Sequence, residues 1–424
     1  TIASIRETSS DTPPCIGVLF ASSEVPAPNG VTGMRWTLQI FKVVAMSASD
    51  SAKTTASGID ARWKLSSFEW CSRMVSFSVT FAPSAAFNSP SASASVAVVT
   101  QERLVVTQVA CTTVSYAQVK KRLDAGEVII LDGATGTELQ RRGAKMSPEA
   151  WCGPASLDNA DLLTEVHLDY IRAGSDVITT NTYASGRMML TPAGFGDRIE
   201  EINKVAIDAA LRARDLAPDG RAVAVGGCLS HMVPHIAGTD LVDPERTPGP
   251  AEMSEAFHEL AGLLKKGGVD HIMLEMMYEP TRTPLAVEAA LSTGLPVWFG
   301  MSSRFDDNGK VVSFNLASDI PLQPIIDCIP DRGVDVVNIM HTQSNVVSDT
   351  IDLVRTKFSG PIGAYPDSGY FEMPNWNFSE VIEPARLKTF YSEWLDKGVQ
   401  LLGGCCGLTV GHIEAANAAR NERR

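Results

Sequence analysis

No run of apolar residues in this sequence comes near the roughly 20 needed to cross a bilayer. The N-terminal stretch also lacks the basic-then-apolar order of a secretory signal. The chain therefore reads as soluble and cytoplasmic, with no membrane partner. Basic charge is short as well: 36 Lys+Arg stand against 49 Asp+Glu, a formal net charge of −13. The basic face that a nucleic-acid surface needs is missing, so nucleic acid is not an expected partner. Cysteine is thin, with eight over 424 residues. They show no secreted-domain framework, which points to a reducing compartment. A chain of this length builds a core without disulfide staples. What remains open is chemistry on small molecules.

The chain changes character near residue 113. Residues 1–110 carry 8 Lys+Arg, 7 Asp+Glu and 19 serines, a net charge of +1 that leaves −14 for the rest. Stretches such as SPSASASVAVV (89–99) have poor apolar periodicity and no clear helix caps. Residues 1–112 therefore read as a Ser/Ala-rich extension without a packed core, disordered or absent from the mature protein. An organelle-targeting segment is the alternative, opposed by Glu7, Asp11 and Glu24.

From residue 113 to 424 short β-branched runs alternate with amphipathic stretches. The runs are 128–131, 176–180, 222–227, 271–275, 296–301, 335–340, 361–365 and 399–404. Several intervening stretches end in the glycine expected past a helix C-terminus, as at Gly174, Gly267 and Gly398. Eight strand–helix units predict an α/β protein, a (β/α)8 TIM barrel, with the segment 116–126 as a lead-in helix capping its bottom.

Active sites of such barrels form at the C-terminal strand ends. The first run delivers Asp132, the second Asn181, Thr182 and Tyr183, the third Cys228 followed by His231 and His235. Glu275, Ser302 and Ser303, His341, Asp367, and the pair Cys405 and Cys406 end the others. Any one of these could be a loop hydrogen bond; polar or metal-capable groups on all eight strand ends argue for a site.

The adjacent cysteines in LLGGCCG (401–407) admit three readings: small buried residues, a vicinal disulfide, or two metal thiolates. A vicinal disulfide would hold its Cα atoms about 3.8 Å apart, short of the usual range and strained. Strand neighbours point to opposite faces, so both thiols can reach one metal only where the backbone bends, and the flanking glycines permit that bend. Two thiolates suit Zn2+; a catalytic site adds a third protein ligand and an open position.

LDGATGTELQRRG (131–143), EVHLDYIRAGSDVITTNTYAS (165–185), YPDSGY (365–370) and LLGGCCGLTVGHI (401–413) resemble the homocysteine S-methyltransferase family. The resemblance implies a (β/α)8 barrel and a zinc-dependent S-methyltransferase. Its partners would be a small thiol, homocysteine or a relative, and a methyl donor such as S-methylmethionine, S-adenosylmethionine or betaine. Carried over by position, Cys405 and Cys406 bind zinc and the catalytic carboxylates Asp132 and Glu275 hold the amino acid. Thr135 and Asn181 contact substrate, and Tyr183 lines the donor pocket. Only 18 residues follow Cys406 (424 minus 406), so direct transfer from a small donor is expected.

One departure matters. The family's first zinc cysteine follows a Val-Asn pair at the end of the sixth strand, where this chain has Val337-Asn338-Ile339-Met340-His341. Isoleucine cannot bind zinc. His341, two residues on and expected on the same strand face, is the replacement third ligand, with Cys228 as the alternative. Two other readings keep the barrel: a metal-dependent hydrolase or lyase using Glu275 and His341, or a non-catalytic relative that binds an amino acid or a metal.

Overall fold

The computed structural model describes residues 16–25, 33–42, 77–78, 111–218 and 221–423. The chain divides into two units, Thr1–Arg103 and Leu104–Arg424. In the first, Ile16–Val25 pairs antiparallel with Gly33–Lys42, which pairs with Phe77–Ser78. The expectation of an unpacked extension over 1–112 otherwise falls outside the described residues.

In the second unit the short apolar runs become eight parallel strands: β1 (Ile129–Ile130), β2 (Val177–Thr179), β3 (Ala224–Ser230), β4 (His271–Met277), β5 (Val297–Met301), β6 (Val334–Gln343), β7 (Ile362–Asp367) and β8 (Leu401–Leu402). The ladder runs β1-β8-β7-β6-β5-β4-β3-β2, and a parallel bridge from Leu131 to Val177 closes it. The fold is the expected (β/α)8 barrel.

Alternation explains its two cores. Ile129, Leu131, Met273, Trp298, Val336 and Leu401 fill the interior, with Tyr116, Val119 and Leu123 of the lead-in helix Cys111–Asp124 packed among them. Their strand neighbours Ile130, Leu274, Phe299, Val337 and Leu402 face out and pack with the helix residues. Gly174 and Gly398 take the left-handed conformation at helix ends. At the third such site the residue with positive φ is Gly268, not Gly267. Gly267 closes the helix Pro250–Gly267, and a Cβ there would meet the Ile207 side chain at 2.5 Å. The glycine there answers a packing demand one position before the cap.

Three insertions depart from bare strand–helix alternation. The short helix Thr135–Arg141 follows β1. A hairpin, Ser303–Phe305 with Val311–Ser313, follows β5, and a second, Tyr370–Glu372 with Asn375–Asn377, follows β7. All three contribute to or adjoin the wall of the site.

Candidate active site and metal centre

Past β8 the chain is pinned by Gly404 N–H donating to Asp132 O (3.0 Å) and Cys405 N–H donating to Pro366 O (2.8 Å). It then bends, with Gly407 at φ +80° donating its N–H to Thr137 Oγ1 at 3.1 Å. A Cβ on Gly407 would fall 1.8 Å from Ser368 O, so only glycine fits that bend. The bend brings Cys405 Sγ and Cys406 Sγ to 3.9 Å. At that spacing the two sulfurs are not bonded to each other.

His341 joins them, its Nδ1 3.6 Å from Cys405 Sγ. One ligand atom from each of the three lies within 4.8 Å of the others. The route by which it arrives differs from the strand-face argument. Ile339 packs outward in the helix-facing core, in register with Ala364 and Met301, while Met340 faces inward. The ladder then slips between Met340 and Gln343, and His341 takes φ +42°. It is this break in strand geometry, not same-face spacing with Ile339, that turns the imidazole to the thiols.

The spacing can be checked against a metal. Two Zn–S bonds of about 2.3 Å at the tetrahedral angle separate the sulfurs by about 3.8 Å, and Zn–S with Zn–N gives about 3.6 Å. The 3.9 and 3.6 Å edges have the lengths a tetrahedral ion would need, and the third edge, from Cys406 to His341, is within 4.8 Å. Without a cation the Cys405 thiol is held well above its ordinary pKa by its hydrogen bond to Cys406 and by burial. A pair of thiolates here therefore calls for positive charge. Burial works against the His341 imidazolium, but Asp367, Cys405 and Asp240 outweigh it and push its pKa up to about 9.

The alternative ligand, Cys228, is placed elsewhere: its thiol donates to Glu275 Oε2 at 2.8 Å, and it is not a member of the triad. Glu275 reaches the barrel mouth with its pKa pushed up to about 7 by burial, against the opposing pull of Cys228 and His341. Asp132 is also buried, and its oxygens accept from Thr179 N (2.7 Å) and Thr179 Oγ1 (2.7 Å). Burial raises its pKa to about 8 despite those bonds.

Asp132, Thr135, Asn181, Tyr183, Glu275, His341, Cys405 and Cys406 line one cavity of about 1200 Å³, its open mouth included. Asn181 Nδ2 is committed to Cys152 O and Ser156 Oγ, both at 3.0 Å, so it fastens the rim. Ser302 and Ser303 lie off the cavity: Ser303 bonds Thr350 Oγ1 at 2.8 Å and Ser302 donates to Met276 Sδ at 3.1 Å. His231 accepts from Tyr278 N at 3.1 Å and lies against its ring, whereas His235 lines the cavity.

An aromatic belt was not anticipated beyond Tyr183. Tyr183 meets Trp151 edge-on at 5.8 Å, Trp151 meets Phe371 at 5.5 Å, and Phe371 lies 6.4 Å from Trp376. From Trp376 the belt continues through His341 (5.7 Å) to Phe314 (4.9 Å) and Tyr278 (5.9 Å). Phe371 and Trp376 come from the hairpin after β7. Its sequence, YFEMPNWN, sets Phe371 opposite Trp376 across a Met373-Pro374 turn, on strands too short for a period to be counted.

A parallel barrel carries a Cys-Cys-His cluster, buried carboxylates and an aromatic belt around one cavity. The comparisons give that arrangement a family: the homocysteine S-methyltransferase family model matches residues 129–420. The chain belongs to that family and is a methyltransferase of the homocysteine S-methyltransferase type. It is 26% identical over 319 residues to homocysteine S-methyltransferase 2 of Zea mays, spanning 70% of this chain and 91% of that one. The Escherichia coli (strain K12) homocysteine S-methyltransferase is 27% identical over 322 residues, 70% of this chain and 96% of its own. The metallated form of the Escherichia coli homocysteine methyltransferase MmuM shares the fold, with TM-score 0.56 and 20% identity over 71% of this chain and 99% of that one. Among the described residues no helix is long and apolar enough to cross a membrane.

Proposed function

We propose that the protein transfers a methyl group from a small onium donor to homocysteine or a closely related thiol, with Zn2+ held by Cys405, Cys406 and His341. The observation that carries the reading is the ligand spacing, 3.9 Å between sulfurs and 3.6 Å from sulfur to imidazole. Zinc bound there would keep the acceptor's sulfur as a thiolate at neutral pH. The relatives bear on both the metal and the acceptor: one solved relative is described as metallated, and one sequence relative, 24% identical over 310 residues, is a selenocysteine methyltransferase of Astragalus bisulcatus. A hydrolase or lyase reading draws no support from either.

The chain's own groups do the rest. Glu275, within β4, and Asp132, just past β1, line the same cavity as the thiols and serve the acceptor's ammonium group. Cys228 positions Glu275 through its thiol hydrogen bond. The belt from Tyr183 to Trp376 offers ring faces to an onium methyl group, and burial strengthens that attraction while limiting water. In the transfer the acceptor sulfur forms a bond to the methyl carbon as the donor's onium–methyl bond breaks. The electron pair stays on the donor, which leaves neutral, and the acceptor's thiol proton leaves to solvent.

Elemental analysis of the full chain tests the assignment. We expect about one zinc per chain, lost in His341→Ala and Cys405→Ser and kept in Cys228→Ala. Zinc lost on Cys228→Ala, or no zinc in the parent after purification with zinc and without chelators, would overturn the ligand set.

A further inference from the structure

Three carboxylates line the cavity, Asp132, Glu275 and Asp240, and among its described lining residues there is no Lys or Arg. The two deep ones are engaged, Asp132 by Thr179 and Glu275 by Cys228. Asp240 stands on the loop between β3 and the helix Pro250–Gly267. It accepts no hydrogen bond from a described residue, and its one ion-pair neighbour is His235 Nε2, at 3.9 Å with the Asp240 side chain 27% exposed. The nearby loop cation, Arg246, is already neutralised by Asp243 and Glu149, each at 2.7 Å.

His235 supplies an independent pointer. It is 8% exposed, lines the same cavity, and its Nδ1 has no hydrogen-bond partner. Its ring lies 6.5 Å from Phe371, so Asp240 and His235 flank the aromatic belt. A buried polar atom and a free carboxylate at one spot describe a place for a cationic hydrogen-bond donor.

Resting on the function proposed above, we infer that Asp240 determines donor specificity by taking the ammonium group of a sulfonium amino acid while the belt holds its sulfonium. A donor whose polar end is only a carboxylate leaves Asp240 without a partner and brings a like charge to it, with no Lys or Arg among the described lining residues to offset that. The preferred class is thus a donor with a second cation beside the onium centre, such as S-methylmethionine. Glycine betaine and dimethylsulfoniopropionate, the latter keeping the sulfonium but lacking the ammonium, are disfavoured. The transfer itself is unchanged: the acceptor S–CH3 bond forms, the sulfonium S–CH3 bond breaks, and the thioether leaves neutral.

The test compares parent and Asp240→Asn with S-methylmethionine and dimethylsulfoniopropionate, by initial rates with homocysteine and by calorimetric binding of each donor alone. Asp240→Asn should lower kcat/KM for S-methylmethionine about tenfold or more, as expected for loss of a charge-assisted pair. It should leave dimethylsulfoniopropionate within about twofold or improve it, and leave the homocysteine KM unchanged. Asp240→Glu should recover part of the S-methylmethionine rate. Equal losses with both donors, or no loss with S-methylmethionine, would overturn the inference while methyl transfer stands. Weaker S-methylmethionine binding in Asp240→Asn, with no methyl transfer by the parent, would support the pairing and sink the reaction. A parent that binds no S-methylmethionine overturns the inference, and methyl transfer is then judged by the rates with the other onium donors.

Discussion

Asp132 shows how a single residue couples site and stability. Its folded pKa of about 8 lies above the ordinary 3.8, so between these values the folded protein holds a proton that the unfolded chain has released. Stability therefore falls as pH rises from about 4 through about 8 and levels off above it. Thermal unfolding of the ligand-free protein should show a Tm that declines across that window, with a shallower decline in Asp132→Asn. A slope unchanged in Asp132→Asn would assign the proton elsewhere. The presence of Asp132, Glu275, Cys405 and Cys406 at the rim was legible because each follows a short apolar run directly. The path of His341 was not. Alternation predicts that Ile339 and His341 share a face, yet Ile339 packs outward and the histidine turns in through a positive φ. Local backbone strain of that kind leaves no trace in residue spacing. His235 was named from the sequence as following the third strand, but Asp240 was obscured for another reason: it sits on a long loop, where no periodicity assigns a direction.

At the scale of elements, the hairpin Tyr370–Glu372 with Asn375–Asn377 contributes Phe371 and Trp376 to the cavity wall. Gln140 of the helix Thr135–Arg141 fastens it, donating to Trp376 O at 2.9 Å and accepting from Trp376 N at 2.8 Å. Trp376 is thereby fixed beside Phe371 and His341. Trp376→Ala should raise the donor KM by roughly threefold to thirtyfold, the range of a partly desolvated cation–π contact. Zinc content and the homocysteine KM should hold. Kinetics at saturating homocysteine would read this, and a loss confined to homocysteine would move the belt to the acceptor side. The eight strand segments were legible as runs of β-branched and apolar residues, even where the ladder is two residues long, as in β1 and β8. The hairpins were not, because three-residue strands on a polar rim lack the length over which a period can be counted.

The whole barrel depends on closing its ends onto one another, since β1 and β8 are short and the first strand must also find the second. Asp176, just before β2, works at that seam. Its carboxylate accepts from Ile130 N at 2.9 Å, pairs with Arg122 of the lead-in helix at 2.9 Å, and pairs with Arg420 of the last helix at 2.6 Å. One side chain thus ties the start of the barrel to its second strand and to its final helix, Val410–Asn421. The Asp176 and Arg420 side chains are 7% and 9% exposed, while Arg122 keeps 26% of its surface in water. The cost of breaking the cluster therefore comes chiefly from the Arg420 pair and the β1 amide. Asp176→Ala should destabilise the barrel by about 3 kcal/mol, the lower end for a buried pair deprived of one partner. Asp176→Asn, which can still accept from Ile130 N, should lose less. Urea unfolding would place both variants, with zinc retained in each wherever the barrel is folded. If Asp176→Ala unfolded no more readily than a surface substitution, closure would have to rest on the apolar layers alone.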